Sequence, residues 1–168
     1  MNKNLRVPYG LSVHGNEEIR AVTKVLKSST QMGKNVSIFE KKISKLFDKK
    51  YGLMCNSGSS ALLLAMETLD FPPGSEIITP ALTFSTTVGY IVKNNWTPVF
   101  VDVEEGTYCI NENKIKNLIT KKTKAVVAPH LMGNIVNWDR VAPMLKKKGI
   151  LIIEDSADTL GATYKKKS

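Results

Sequence analysis

The stretch from residue 77 to residue 101, IITPALTFSTTVGYIVKNNWTPVFV, decides the fold class. It begins with a short apolar run at residues 77–79, continues with a segment of helical character at Ser85–Lys93, and ends with a second apolar run at Thr97–Val101. Short buried strands that alternate with helices are typical of a mostly parallel sheet with helices on both faces.

The same alternation continues along the chain. We predict further strands at residues 51–55, 125–128 and 150–153, and further helices at residues 60–69, 113–118 and 138–147. The turn at Pro72, Pro73 and Gly74 separates the first of these helices from the strand at residues 77–79. The sequence therefore predicts an α/β fold.

The region before residue 51 has a different pattern. Residues 16–27 and 35–47 place apolar side chains at helical spacing, and Asn16 is a suitable N-cap for the first helix. We therefore expect a helical N-terminal arm at residues 1–50 and an α/β core at residues 51–168, with no internal repeat.

The composition is ordinary for a globular protein, with 42% hydrophobic and 23% charged residues. No apolar run approaches the roughly 20 residues that a membrane-spanning helix needs, and no signal-peptide core follows Met1. We expect a cytoplasmic protein without a membrane partner. Cys55 and Cys109 lack the spacing of a zinc or disulfide motif, so no metal is predicted, and Cys55 is expected to pack within a strand.

The formal net charge of +9 raises the question of nucleic-acid binding. The excess comes from lysine, because arginine occurs only at Arg6, Arg20 and Arg140. Base and phosphate readers usually use arginine forks and interleaved aromatic residues. A solvated lysine surface is therefore favoured over a nucleic-acid interface, although the charge would attract an anionic substrate such as a sugar nucleotide.

Ligands of open α/β sheets gather where the strands end. After the strand at residues 51–55, Gly58, Ser59 and Ser60 form a small-residue loop before a helix, which suits either phosphate binding or a simple helix-capping turn. No dinucleotide or P-loop fingerprint is present. After the strand at residues 77–79, Phe84 is available either to stack on a flat cofactor ring or to join the core, with Thr83 or Ser85 as the helix cap.

Acidic residues follow the last predicted strand as Glu154, Asp155 and Asp158. A carboxylate at this edge is able to keep a pyridinium nitrogen protonated, as pyridoxal phosphate (PLP) requires in order to act as an electron sink. Metal binding and a solvated strand end are the alternatives. His130 also follows a strand, and we expect its own loop to satisfy its ring.

Four segments, at residues 56–62, 80–84, 98–103 and 153–158, together resemble the DegT/DnrJ/EryC1/StrS family of PLP-dependent sugar aminotransferases. The resemblance covers nearly the whole chain and implies the large domain of a fold-type I PLP enzyme, in truncated form. It implies that Gly58, Ser59 and Ser60 hold the cofactor phosphate.

The resemblance also implies roles for three later residues. Phe84 would stack on the pyridine ring, and Asp155 would pair with the ring nitrogen. Asp158 stands where the family usually has Gln or His in contact with the phenolic oxygen of PLP or its amino form. The lysine that binds the cofactor covalently would lie beyond Ser168, so the isolated chain is expected to be inactive.

The function that this resemblance implies is transfer of an amino group, for example from glutamate, to a keto-sugar nucleotide for surface polysaccharide or lipopolysaccharide synthesis. A homodimer is implied as well. Asp158 favours an alternative, the branch of nucleotide-sugar 3-dehydratases in which histidine replaces the lysine. A non-catalytic phosphate-binding α/β domain is the third hypothesis.

Overall fold

The computed structural model describes residue 8 and residues 10–165. The chain divides into two compact units, Met1–Ile38 and Phe39–Ser168. Helix α1 spans Asn16–Ser28 and helix α2 spans Lys34–Leu46. Both helices agree with the sequence prediction, except that Gly15 is the N-cap of α1 and its N–H donates to Glu18 Oε2 at 2.7 Å. Asn16 is therefore the first helical residue and not the cap.

Four parallel strands form the sheet of the second unit, in the order β2-β1-β3-β4. They are β1 (Glu76–Pro80), β2 (Thr97–Val101), β3 (Thr123–Pro129) and β4 (Leu151–Asp155). Pro80 lies opposite Val101, and Pro129 lies opposite Asp155, so the strands end together at one edge. The predicted parallel α/β architecture is confirmed.

Helices cover both faces of this sheet. They are α3 (Gly58–Glu67), α4 (Ser85–Lys93), α5 (Glu112–Leu118) and α6 (Ala142–Lys147), with short 3-10 turns at Leu131–Gly133 and Trp138–Arg140. Among residues 10–165, none of the helices combines the length and the apolar character that a membrane crossing requires.

Alternation along the strands builds a separate core on each face. Ile77 packs with Met66 of α3 and Ile91 of α4, on what we name the α3–α4 face. The next residue, Ile78, packs with Leu145 of α6 and with α5, on the α5–α6 face. Because successive side chains of a strand point to opposite sides, the sheet buries two apolar layers at once.

The predicted strand at residues 51–55 is wrong. Tyr51 and Leu53 are largely exposed, and no described segment pairs with this stretch. Its contacts go instead to α2, where the N–H of Met54 donates to Glu40 Oε1 at 2.9 Å. An apolar run becomes a strand only when a neighbour accepts its ladder of hydrogen bonds. Cys55 is accordingly half-buried in a loop and not packed within a strand.

The predicted helix at residues 138–147 is also corrected, because it is broken in two. A 3-10 turn covers Trp138–Arg140, Val141 has the non-helical angles φ −124° and ψ −25°, and α6 begins at Ala142. Pro143 lies in the first turn of α6. Proline has no N–H to donate to the preceding turn, so it is tolerated at a helix start and disfavoured inside a helix.

Packing of α3 against the sheet gives a test of the fold. Met66 is fully buried (0% exposed), whereas Leu64 of the same helix is 47% exposed. We expect Met66→Ala to lower the free energy of unfolding by about 2–5 kcal/mol, because the substitution leaves a cavity in the α3–α4 core. The matched control Leu64→Ala is expected to cost less than about 1 kcal/mol. Denaturant unfolding measures both, and equal losses would contradict this packing.

Candidate functional site

The carboxyl edge of the sheet brings together segments that are distant in sequence. β1 leads to Phe84, β3 to His130 and β4 to Asp155, and all three strands are parallel. Helix α3 packs on the sheet and leads into the start of β1, so its first residues lie towards the same edge. The edge therefore gathers the residues that the sequence singled out.

The loop at the start of α3 is a helix cap with backbone amides that are open to a ligand. Ser57 is the N-cap, and its hydroxyl accepts the N–H of Ser60 at 3.1 Å. Within residues 10–165, the amides of Gly58 and Ser59 donate to no protein acceptor. A Cβ added at Gly58 would meet no atom within 4 Å. Free amides at a helix N-terminus with open space before them suit a phosphate.

Phe84 is not a core residue. It is the N-cap of α4 and its side chain is 65% exposed. Neither Thr83 nor Ser85 caps the helix, since the hydroxyl of Thr83 donates to Thr87 Oγ1 at 3.2 Å. The core alternative is therefore wrong, and the ring stands open at the carboxyl edge.

Pleating sends the two acids at the end of β4 to opposite faces. Ile152 packs on the α5–α6 face and Ile153 on the α3–α4 face. By the same alternation Glu154 belongs to the α5–α6 face and Asp155 to the α3–α4 face, where α3 and α4 begin. Asp155 Oδ1 accepts the N–H of Ala157 at 3.1 Å. No other described residue is within hydrogen-bond distance of this carboxylate, so its second oxygen is available to a ligand.

Asp158 connects the loops that follow β3 and β4. Its Oδ2 accepts the N–H of Met132 at 3.2 Å, and Met132 has the left-handed angle φ 54°. A residue with a branched or bulky side chain pays a steric cost there, which this hydrogen bond helps to offset. The carboxylate thus already serves as an acceptor within the protein, while its predicted contact with a cofactor oxygen stays a prediction.

A family model described as the DegT/DnrJ/EryC1/StrS aminotransferase family matches residues 13–168. The chain belongs to this family. Its members are PLP-dependent enzymes, so the cofactor class expected from the sequence is confirmed.

The relatives include both aminotransferases and sugar dehydratases. The spore coat polysaccharide biosynthesis protein SpsC of Bacillus subtilis is 36% identical over 98% of this chain and 43% of its own length. The Escherichia coli GDP-4-keto-6-deoxy-D-mannose-3-dehydratase, solved with bound hydrated PLP, has a TM-score of 0.90 at 32% identity, over 97% of this chain and 44% of its own. An aminotransferase from Psychrobacter cryohalolentis has a TM-score of 0.88 at 33% identity, over 96% and 42%. The chain thus spans less than half the length of these proteins.

The α3–α4 face of this family member fits a PLP molecule. It offers free amides at Gly58 and Ser59 for a phosphate, the exposed ring of Phe84 for stacking, and the carboxylate of Asp155 for a ring nitrogen. The amides suit the phosphate of the cofactor, the aromatic ring suits its flat pyridine ring, and the carboxylate suits its ring nitrogen.

His130 lies on the other face in a network that the sequence did not reveal. Its ring is buried, and Nδ1 accepts the N–H of Val136 at 3.1 Å. The proton is therefore on Nε2, which donates to Glu154 Oε1 at 3.1 Å. The expectation that the loop satisfies this ring is confirmed, but the partner Glu154 was missed. The signal was the position of both residues at the ends of adjacent strands.

A cavity of about 340 Å³ opens beside this pair. Lys49, Trp138 and Tyr164 are among its lining residues, together with His130 and Glu154. It contains none of the six predicted cofactor-binding residues. This cavity and the predicted cofactor site are therefore on different faces of the sheet.

The hydrogen bond from His130 lowers the pKa of Glu154 below its ordinary value of 4.5, although partial burial of the carboxylate opposes this shift. Lys49 contributes a further lowering through its charge. The buried indole N–H of Trp138 acts in the same direction, although it makes no hydrogen bond of normal geometry.

The lowered pKa of Glu154 predicts a pH-dependent contribution to stability. A carboxyl whose pKa is lower in the folded state stabilises the fold above its unfolded pKa, and this contribution disappears as pH falls through the folded pKa. We expect Glu154→Gln to be less stable than the parent chain at about pH 6, by about 1 kcal/mol or less because the carboxylate is 39% exposed. The difference in the free energy of unfolding between Glu154→Gln and the parent chain should shrink towards about pH 3. Urea unfolding across this pH range measures this difference. A difference that becomes larger as the pH falls would contradict the lowered pKa of Glu154.

Proposed function

We propose that this chain is the cofactor-binding N-terminal part of a cytoplasmic PLP-dependent enzyme that transfers an amino group to a keto-sugar nucleotide for surface polysaccharide synthesis. One observation carries the proposal. The free amides of α3, the exposed ring of Phe84 and the open carboxylate of Asp155 share the carboxyl edge of the α3–α4 face.

The start of α3 would bind the cofactor phosphate. The amides of Gly58 and Ser59 have no protein acceptor among the described residues, and the dipole of a ten-residue helix favours negative charge at this end. The hydroxyls of Ser59 and Ser60 add donors. The hydroxyls of Ser57 and Ser60 lie 3.1 Å apart, which holds the capping turn in shape.

Asp155 would bind the ring nitrogen. An ionised carboxylate favours the protonated form of a neighbouring nitrogen base, and the preference is stronger where the ligand excludes water. When bound, PLP supplies an electron sink for reactions at an amino-bearing carbon. Phe84 would cover the ring and exclude solvent from it, because an exposed aromatic side chain gains from stacking.

The proposed substrates are a nucleotide-linked keto-sugar and an amino donor such as glutamate, with a homodimer as the working unit. The names of the relatives support the sugar class, since SpsC belongs to spore coat polysaccharide biosynthesis and the Escherichia coli enzyme acts on a GDP-linked keto-sugar. The formal charge of +9 on this chain would attract such anionic substrates. The covalent lysine would lie in the part of the relatives beyond the matched region.

One observation favours a second function, the removal of a sugar hydroxyl by a 3-dehydratase. Asp158 stands where the family resemblance implies Gln or His, and a GDP-4-keto-6-deoxymannose-3-dehydratase matches this chain with a TM-score of 0.91. In that case histidine would take the position of the covalent lysine, and Asp155 and the start of α3 would keep their roles.

Binding of PLP to this chain tests the proposal. We expect Asp155→Asn to weaken PLP binding about tenfold, which corresponds to about 1.4 kcal/mol for the loss of the charged pair. Fluorescence titration with PLP measures the affinity, with Asp139→Asn as a control because Asp139 lines the cavity on the opposite face. Pyridoxal, which has no phosphate, should bind more weakly than PLP.

The third hypothesis makes the opposite prediction. A non-catalytic phosphate-binding domain would bind inorganic phosphate as well as PLP, and Asp155→Asn would leave the affinity unchanged. That pair of results would overturn the proposed function.

A further inference from the structure

We propose that His130 is a positioning residue for the cofactor site. By holding Glu154 on the α5–α6 face, it fixes the direction in which Asp155 points on the α3–α4 face. The inference rests on the proposed function only for the role of Asp155 as a cofactor ligand, because the mechanical connection between these residues stands without it.

The end of β4 depends on β3 for its position. In the four-stranded sheet β4 is an edge strand, and β3 is its only neighbour among the described residues. The paired register ends at Pro129 and Asp155. One residue further, the N–H of His130 donates to the carbonyl oxygen of Asp155 at 2.9 Å. His130 therefore supplies the last backbone hydrogen bond that holds the chain at Asp155.

The side chain of His130 is itself fixed. Both ring nitrogens have partners, since Nδ1 accepts from the backbone of Val136 and Nε2 donates to Glu154, each at 3.1 Å. Val136 is buried in the α5–α6 core, so the backbone group that orients the ring is part of the packed structure. The direction of the Nε2 proton is therefore set by the core and not by solvent.

Glu154 transmits this constraint to Asp155. The two residues are adjacent in β4, and pleating points their side chains to opposite faces. A rotation of the backbone that releases Glu154 from His130 would also turn the Asp155 carboxylate away from its place. The N–H of Ala157 donates to Asp155 Oδ1 at 3.1 Å, so this hydrogen bond indicates directly whether the Asp155 carboxylate keeps its orientation.

Other charged groups near the pair do not replace His130. Lys49 lines the same cavity and acts on Glu154 through its charge, without a hydrogen bond to it. Lys165 pairs with Asp139 at 2.6 Å on the cavity wall. Asp139→Asn therefore removes a cavity carboxylate that makes none of the hydrogen bonds described here between His130, Glu154, Asp155 and Ala157.

The test compares Glu154→Ala, which removes the acceptor, with Glu154→Gln, which keeps an oxygen able to accept from Nε2. The first readout needs no cofactor and is the hydrogen-exchange rate of the Ala157 amide by NMR. We expect Glu154→Ala to speed this exchange about threefold or more, with Glu154→Gln and Asp139→Asn within about twofold of the parent chain. Asp155→Ala deletes the acceptor of the Ala157 amide and therefore gives the upper limit of its exchange rate.

The second readout is PLP affinity by fluorescence titration. Glu154→Ala should weaken PLP binding about fivefold although it lies on the face opposite the cofactor, and Glu154→Gln should restore it to within about twofold. Unchanged exchange and unchanged affinity in Glu154→Ala, with weaker binding in Asp155→Asn, would overturn the positioning role and leave the proposed function standing. If Asp155→Asn binds PLP normally, the proposed function fails, and the exchange of Ala157 in the Glu154 variants then decides whether the hydrogen-bonded pair of His130 and Glu154 fixes Asp155.

Discussion

The parallel hydrogen-bond ladder between β3 and β4 is the constraint on which the candidate site depends. It places Pro129 opposite Asp155, and the amide of His130 extends it by one more bond. Because β1 is also parallel to β3, the loop that carries Phe84 reaches the same edge. A parallel sheet thus assembles at one edge groups that are far apart along the chain.

The pleat of β4 divides the chemistry between the two faces. Adjacent carboxylates, Glu154 and Asp155, have different environments because Glu154 accepts a hydrogen bond from a buried histidine, whereas Asp155 accepts one from the backbone N–H of Ala157. The carboxylate of Glu154 accepts a hydrogen bond from the ring of His130, which lowers the pKa of Glu154. Asp155 keeps its second carboxylate oxygen available to a ligand. An acid that is paired with a histidine and an acid that keeps an oxygen open can therefore occupy consecutive positions without competing for partners.

Exposed apolar groups also occur where the described sheet stops. Leu151 is exposed on the edge strand β4, and Tyr51 and Leu53 are exposed in a stretch that no described strand accompanies. The relatives are more than twice as long as the region they share with this chain. Exposed apolar surface of this kind is typical of surfaces that other segments or chains cover.

The sequence by itself determined the elements that apolar runs and helical spacing mark out. Strand Thr97–Val101 and helix Ser85–Lys93 were predicted to the residue, because these patterns indicate the type of element even where its burial is partial. The family resemblance carried by the segments at the strand ends also implied the cofactor class. Only the tertiary structure decided that residues 51–55 are not a strand, that Phe84 is exposed, and that Glu154 is paired with His130. These outcomes depend on which segments lie side by side, and local sequence does not encode the position of a partner that lies 24 residues away.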